Sequence, residues 1–171
     1  MIWTKNKLYI ILIFTIVYFN INCVKYSFKG ALPSYIKTIS IPLFEDQSRN
    51  PWFGLRELLT NAVVDGFIAD NTLTVIDDEK NADLLLNATI TGWQEKYVAI
   101  SEEQDVEQKQ MWIYVKVECL NQKQNTKLWA ENLSRFSPVE GAGTLTENNA
   151  AIADASIELA VDILQKTIAA W

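Results

Sequence analysis

Leu84-Leu85-Leu86-Asn87-Ala88-Thr89-Ile90-Thr91-Gly92-Trp93 and, further along, Met111-Trp112-Ile113-Tyr114-Val115-Lys116-Val117-Glu118-Cys119 decide the fold of this chain. Both alternate with period two, the spacing of a strand whose successive side chains point to opposite faces. In the first, Leu84, Leu86, Ala88, Ile90 and Gly92 share one face, and Asn87, Thr89, Thr91 and Trp93 share the other. In the second, Met111, Ile113, Val115, Val117 and Cys119 stand opposite Trp112, Tyr114, Lys116 and Glu118. One apolar and one mixed face is the pattern of a sheet covered on one side only. The acidic, Gln-rich residues 101–110 between the two strands read as a solvated hairpin loop.

Reading outward, residues 121–126 look like a second turn, and residues 127–133 pair back as a further antiparallel strand. Gly141 and Gly143 break the chain before a last helix starting near Thr144 or Thr146. Ile152, Leu159, Ala160, Ile163, Leu164 and Ile168 form its apolar stripe. Upstream, Leu73-Thr74-Val75-Ile76 is a short strand closed by the charged turn of residues 77–81. Before it, Asn50-Pro51 supplies an N-cap and a first-turn proline for a helix. Leu55, Leu59, Ala62, Val63 and Phe67 line that helix, and Asp70-Asn71 ends it. Residues 44–50 read as a polar loop. In Tyr35–Pro42, Ile39 and Ile41 alternate with Thr38 and Ser40 as a half-buried strand that Pro42 closes. The expected fold is α+β: two helices on one face of a mostly antiparallel mixed sheet of four to five strands, in the order β-α-β-β-β-β-α.

Composition excludes several function classes. The 171 residues include no histidine, which removes Ser-His-Asp and Cys-His catalysis and any histidine metal site. No carboxylate spacing singles out a catalytic pair, so no enzyme, metal or cofactor is expected. The net charge is −6, and it falls to −8 without residues 1–22, which carry Lys5 and Lys7 and no acid. That balance, with no basic stripe, excludes nucleic acid as the partner. Of the two cysteines, Cys119 sits in a strand pattern as a small buried hydrophobe.

Cys23 is different. Lys5 and Lys7 precede an apolar run from Leu8 to Phe19 that fits the hydrophobic region of a secretory signal. It is shorter than the ~20 residues a membrane-spanning helix needs. A cysteine just beyond such a run is the acylation site of a bacterial lipoprotein, and two or more acyl chains hold a protein on a membrane stably. The expected organisation is a signal peptide at 1–22, a lipidated N-terminus and extended tether at 23–34, and an α+β domain at 35–171.

The ordered set of residues beyond Cys23 resembles a known family. Cys23, Tyr26, Ser27, Phe28 and Gly30 are followed by Leu32-Pro33-Ser34, Ile36-Lys37-Thr38-Ile39-Ser40-Ile41-Pro42 and Phe44-Glu45. Then come Leu58-Leu59-Thr60-Asn61-Ala62, Ala82-Asp83 with Leu86 and Ile90, Leu128-Trp129, Ala155, Leu159-Ala160 with Asp162-Ile163, and Trp171. Together they resemble the LptE family, lipoproteins of lipopolysaccharide assembly in Gram-negative outer membranes. The resemblance implies a lipid-anchored outer-membrane protein facing the periplasm, without enzymatic activity. It implies an LptD-type β-barrel as the partner, in which the lipoprotein sits as a plug, with lipopolysaccharide as a further ligand. The departures are Asn20 and Asn22 ahead of Cys23, and Val24-Lys25 where the family has a glycine. A second resemblance stays open. Ile39-Ser40-Ile41-Pro42-Leu43-Phe44-Glu45-Asp46 with Ala82-Asp83 is also similar to the N-terminal domains of TolB- and CsgG-type envelope proteins.

The candidate site is the mixed sheet face. Trp93, Trp112, Tyr114 and Lys116 are expected together on the side without helices, where aromatic rings would serve a partner or a lipid or simply stabilise the sheet by cross-strand pairing. Lys96, Lys109 and Lys127 are candidates for contacts to acidic lipid headgroups.

Overall fold

The computed structural model of the chain describes residues 32–99 and 107–171. Cys23, the signal region 1–22, most of the tether and residues 100–106 of the acidic link lie outside the described residues. The elements are β1 (Thr38–Ser40), β2 (Glu45–Asp46), α1 (Leu55–Asp70), β3 (Thr74–Val75), β4 (Leu84–Ala99), β5 (Glu107–Asn121), β6 (Thr126–Pro138) and α2 (Leu145–Ala169). They form the expected α+β fold, with two helices and one mixed six-stranded sheet in the order β3-β1-β4-β5-β6, β2 also pairing with β4.

The antiparallel β4-β5-β6 meander is the spine of the sheet. β1 and β2 run parallel to the same edge of β4, β1 beside Leu84 and Leu85 and β2 beside Thr89 and Ile90. They are one strand interrupted near Pro42, whose β1 part is flanked in turn by β3. Residues 44–50 are therefore not wholly loop. Glu45–Asp46 pair with β4, and the Gln47 amide donates to the Ile90 carbonyl at 2.9 Å. Two residues in parallel register carry too little periodicity to read from sequence. The hairpin strand β5 likewise begins at Glu107, inside the stretch expected to be loop.

The helices run parallel to each other. α1 leaves the far end of β2 and returns to β3, which lies beside β1. α2 starts after β6 ends against Gln110, and runs back past Arg135 and Glu131 through ion pairs from Asp162 and Lys166. Between helices and sheet lies the core. Leu55, Leu59, Val63 and Phe67 of α1 and Ile152, Ala155, Leu159 and Ile163 of α2 meet Leu84, Leu86 and Ile90 of β4 and Met111, Ile113, Val115 and Val117 of β5. Each of these side chains larger than alanine contributes about 1.5–3 kcal/mol by leaving water.

Helix boundaries depart from expectation for local reasons. α1 begins four residues after Pro51, with Gly54 as its N-cap at φ 78 and no side-chain cap. Trp52 is held elsewhere: its indole N–H donates to Asn149 Oδ1 at 3.1 Å, and its ring packs edge-on to Trp93 at 4.7 Å. The chain must turn before it coils, and only a left-handed residue lets it, which is glycine's conformation. α1 ends as read, at a left-handed Asn71 whose amide reaches the Phe67 carbonyl. α2 opens at Thr144, not Thr146, through a full capping box with Glu147. Its stripe also buries Ser156 and Thr167, whose hydroxyls donate to the carbonyls of Ile152 and Ile163 one turn back.

Ala82-Asp83 forms a clamp at the start of β4. Asp83 Oδ2 accepts the amides of Lys37 and Thr38 at 2.6 and 3.0 Å. Its Oδ1 pairs with Lys123 of the β5–β6 turn at 2.8 Å, and its own amide donates to Thr38 Oγ1. One carboxylate ties three segments together.

Candidate functional site

Two faces of the sheet are set by one irregularity. Along β4, Ile90 pairs with Val115 but Gly92 pairs with Tyr114, so Thr91 is an extra residue, a β-bulge. Beyond it the alternation changes face. Trp93 is opposite Ile113 and Glu95 is opposite Met111, on the helix side. Gly92, Gln94 and Lys96 lie on the uncovered side, with Tyr114 and Trp112.

The structure therefore separates the four expected site residues. Trp112, Tyr114 and Lys116 share the uncovered face, at alternate positions of the central strand. Trp93 does not: an unbroken period of two places it with them, and the bulge turns it to the helix side. There it packs against the core and donates its indole N–H to the Asn50 carbonyl at 2.7 Å. Residues that sequence reading left out complete the face. Phe136 of β6 pairs across from Trp112, their rings stacked at 4.6 Å. Tyr114 is also stacked with Trp112, their centroids 6.2 Å apart. Lys96 lies over both rings, its Nζ 3.9 Å from the Trp112 centroid and 5.6 Å from that of Tyr114. That is cation–π distance for Trp112, and stacked pairs of this kind stabilise a sheet beyond their buried area.

Polar groups fix the rings. The Trp112 indole N–H donates to Gln110 Oε1 at 3.1 Å, and the Tyr114 hydroxyl bonds Gln94 Oε1 at 3.3 Å. Lys116 stands beyond them, exposed, between Thr89 and Asn132. Of the other candidate lysines, Lys127 is paired to Glu118 on this same face at 2.9 Å. Lys109 is on the helix side, paired to Glu95 at 3.1 Å and set beside Gly143. The face is thus a short aromatic ladder carrying two cations, Lys96 and Lys116, neither in an ion pair among the described residues. Phe136 was legible only through the length of β6, which Pro138 ends; the run that stops at Leu133 leaves it out.

Cys119 is fully buried on the core side, and burial pushes its thiol up to about 12. A thiol so protonated is no nucleophile. Among the described residues no three His, Cys, Asp or Glu side chains gather as a metal site, and no helix is long and apolar enough to cross a membrane.

The sequence profile of LptE, described as lipopolysaccharide-assembly, matches residues 36–167. The chain belongs to the LptE family. Solved structures share the fold at low identity. A Xanthomonas campestris protein is 12% identical with a TM-score of 0.59, covering 82% of this chain and 88% of that one. A hypothetical protein from Chlamydia trachomatis is 10% identical at 0.59, covering 80% and 99%. PelC of Paraburkholderia phytofirmans, a dodecamer, is 10% identical at 0.54, covering 80% and 92%. No match was found among curated proteins. The LptE match takes in every strand, α1 and all but the last two residues of α2.

Proposed function

We propose that this LptE-family chain is an outer-membrane lipoprotein, cut before Cys23 and acylated there, that assembles with an LptD-type β-barrel and helps it insert lipopolysaccharide. The observation that carries the reading is the uncovered face of β4-β5-β6: stacked Trp112, Tyr114 and Phe136 under Lys96, with Lys116 alongside. A sheet face that stacks half-buried aromatic rings, with polar hooks at their rims, is organised as interfaces are. Aromatic anchors dominate binding energy because they lose large apolar area at little entropic cost. The two cations suit an acidic partner surface or phosphate-bearing lipid.

The test is affinity purification of the chain from gently solubilised outer membranes. The reading expects a stoichiometric LptD-type barrel, and Trp112→Ala with Lys116→Glu to lower its recovery at least fivefold. Recovery of the chain alone, or of the double variant with undiminished barrel, would refute it. A second reading, a lipid-binding module, shares the face. It is favoured if the purified chain binds lipopolysaccharide without any barrel and Lys116→Glu abolishes that binding.

A further inference from the structure

The helix layer carries a second exposed apolar surface, on the side of the molecule away from the aromatic sheet face. At its end stands Phe53, fully exposed at 101% of its reference area. It is not on a loose loop. Trp52 is fixed by Asn149 and Trp93, and the left-handed Gly54 passes directly into α1. Beside Phe53 a groove of about 530 Å³ opens between the starts of α1 and α2. Its lining includes Leu58, Leu145, Ile152 and Ala153 and no charged residue.

From the groove a stripe continues along α2. Leu145, Asn149, Ala153, Ile157 and Val161 recur at four-residue steps, so they form a row that winds slowly around the helix, from the groove at Leu145 to its outer side at Ile157 and Val161. Leu145, Ile157 and Val161 are 71, 57 and 45% exposed. Scattered single apolar residues need no explanation, but exposed apolar residues gathered along one row and headed by a fully exposed phenylalanine mark an interaction surface. A second stripe runs alongside. Asp154 and Glu158 are exposed, four residues apart, and have no ion pair among the described residues. The next acid in that row, Asp162, is neutralised by Arg135 of β6. Like charges one turn apart repel, which costs the helix stability. A cation from outside would remove that cost.

We propose that the outer face of α1 and α2 docks a basic, amphipathic segment of a partner protein. Its apolar side chains lie on Phe53, Leu145, Ile157 and Val161, and its Lys or Arg side chains meet Asp154 and Glu158. The unneutralised acids set this surface against anionic lipid and against a second copy of itself, whose stripe has the same sign. The inference is independent of what meets the aromatic face.

The experiment uses the full chain in phosphatidylcholine nanodiscs and two fluorescent amphipathic helical peptides, one leucine–lysine and one leucine–glutamate, read by anisotropy against empty nanodiscs. The leucine–lysine peptide is expected to bind at least tenfold more tightly than its acidic twin, and more weakly as salt rises. Ile157→Lys should weaken it at least tenfold and Val161→Thr about threefold, whereas Trp112→Ala leaves it within twofold. Asp154→Lys with Glu158→Lys should remove the salt dependence. Ile157 is solvent-exposed, so the variant is expected to keep the parent circular dichroism spectrum. Equal binding of the two peptides overturns the proposal, as does indifference to Ile157→Lys. So does a dimer in sedimentation that Ile157→Lys abolishes, or binding to phosphatidylglycerol vesicles that the same change abolishes.

Discussion

Asp83 shows most clearly what one side chain does here. Burial alone would raise its pKa. The Lys123 ammonium and the amides of Lys37 and Thr38 more than offset that, and hold the carboxyl below its ordinary value. A carboxylate whose folded pKa is depressed adds stability that is present above the unfolded pKa of about 3.9 and is lost as pH falls through the folded one. Asp83→Ala leaves two amides without an acceptor and should cost about 2–3 kcal/mol near pH 7. Little of that loss comes from Lys123, which is half exposed. Urea unfolding at pH 7 and pH 2.5 checks this: the gap between variant and parent should narrow in acid. A gap that is constant with pH would mean that the carboxylate charge does not matter. Cys119 gives a second prediction at this scale. In a Cys23→Ser background its thiol should not react with a disulfide reagent at pH 8 in the folded protein and should react fully in 6 M guanidinium. Reaction at the rate of a free thiol in the folded state would contradict its burial.

Among elements, sequence reading succeeded where periodicity was long and failed where tertiary contacts took over. β4, β5 and both helices were legible because many residues repeat one period. β2 was not, because two residues have no period. Trp93 was misplaced because a bulge is one extra residue, and nothing in Ile90-Thr91-Gly92-Trp93 alone distinguishes an unbroken strand from a broken one. Gly92 is the trace it leaves, a residue without a side chain at the point where the strand bends. Asn50-Pro51 had the chemistry of a helix start, but Trp52 was engaged by Asn149 and Trp93, and the helix waited for Gly54. The capping box of α2 gives the prediction for this scale. Thr144→Ala removes the acceptor for the Glu147 amide and should lower stability by about 1 kcal/mol. Thr144→Ser should restore most of it. A chemical-denaturation series on the three proteins reads the difference, and an unchanged midpoint for Thr144→Ala would show that the cap is not formed.

For the whole molecule, the sheet has two different sides, and the fold assigns them different tasks. One side is closed by two parallel helices over a continuous core. The other bears no helix among the described residues and carries aromatic rings with two lysines, Lys96 and Lys116, that make no ion pair among those residues. Membership of the LptE family follows from the match over residues 36–167. The open face is where we place the barrel, and that is the central claim. Photo-crosslinking from Tyr114 tests it most directly, with p-benzoylphenylalanine placed there in the full chain expressed in its own outer membrane. The account predicts an adduct with the mass of one chain plus one LptD-type barrel, formed at Tyr114 and lost at the core position Val63. Folded, membrane-located protein that gives no barrel adduct from Tyr114, or an adduct with a different envelope protein instead, would contradict it.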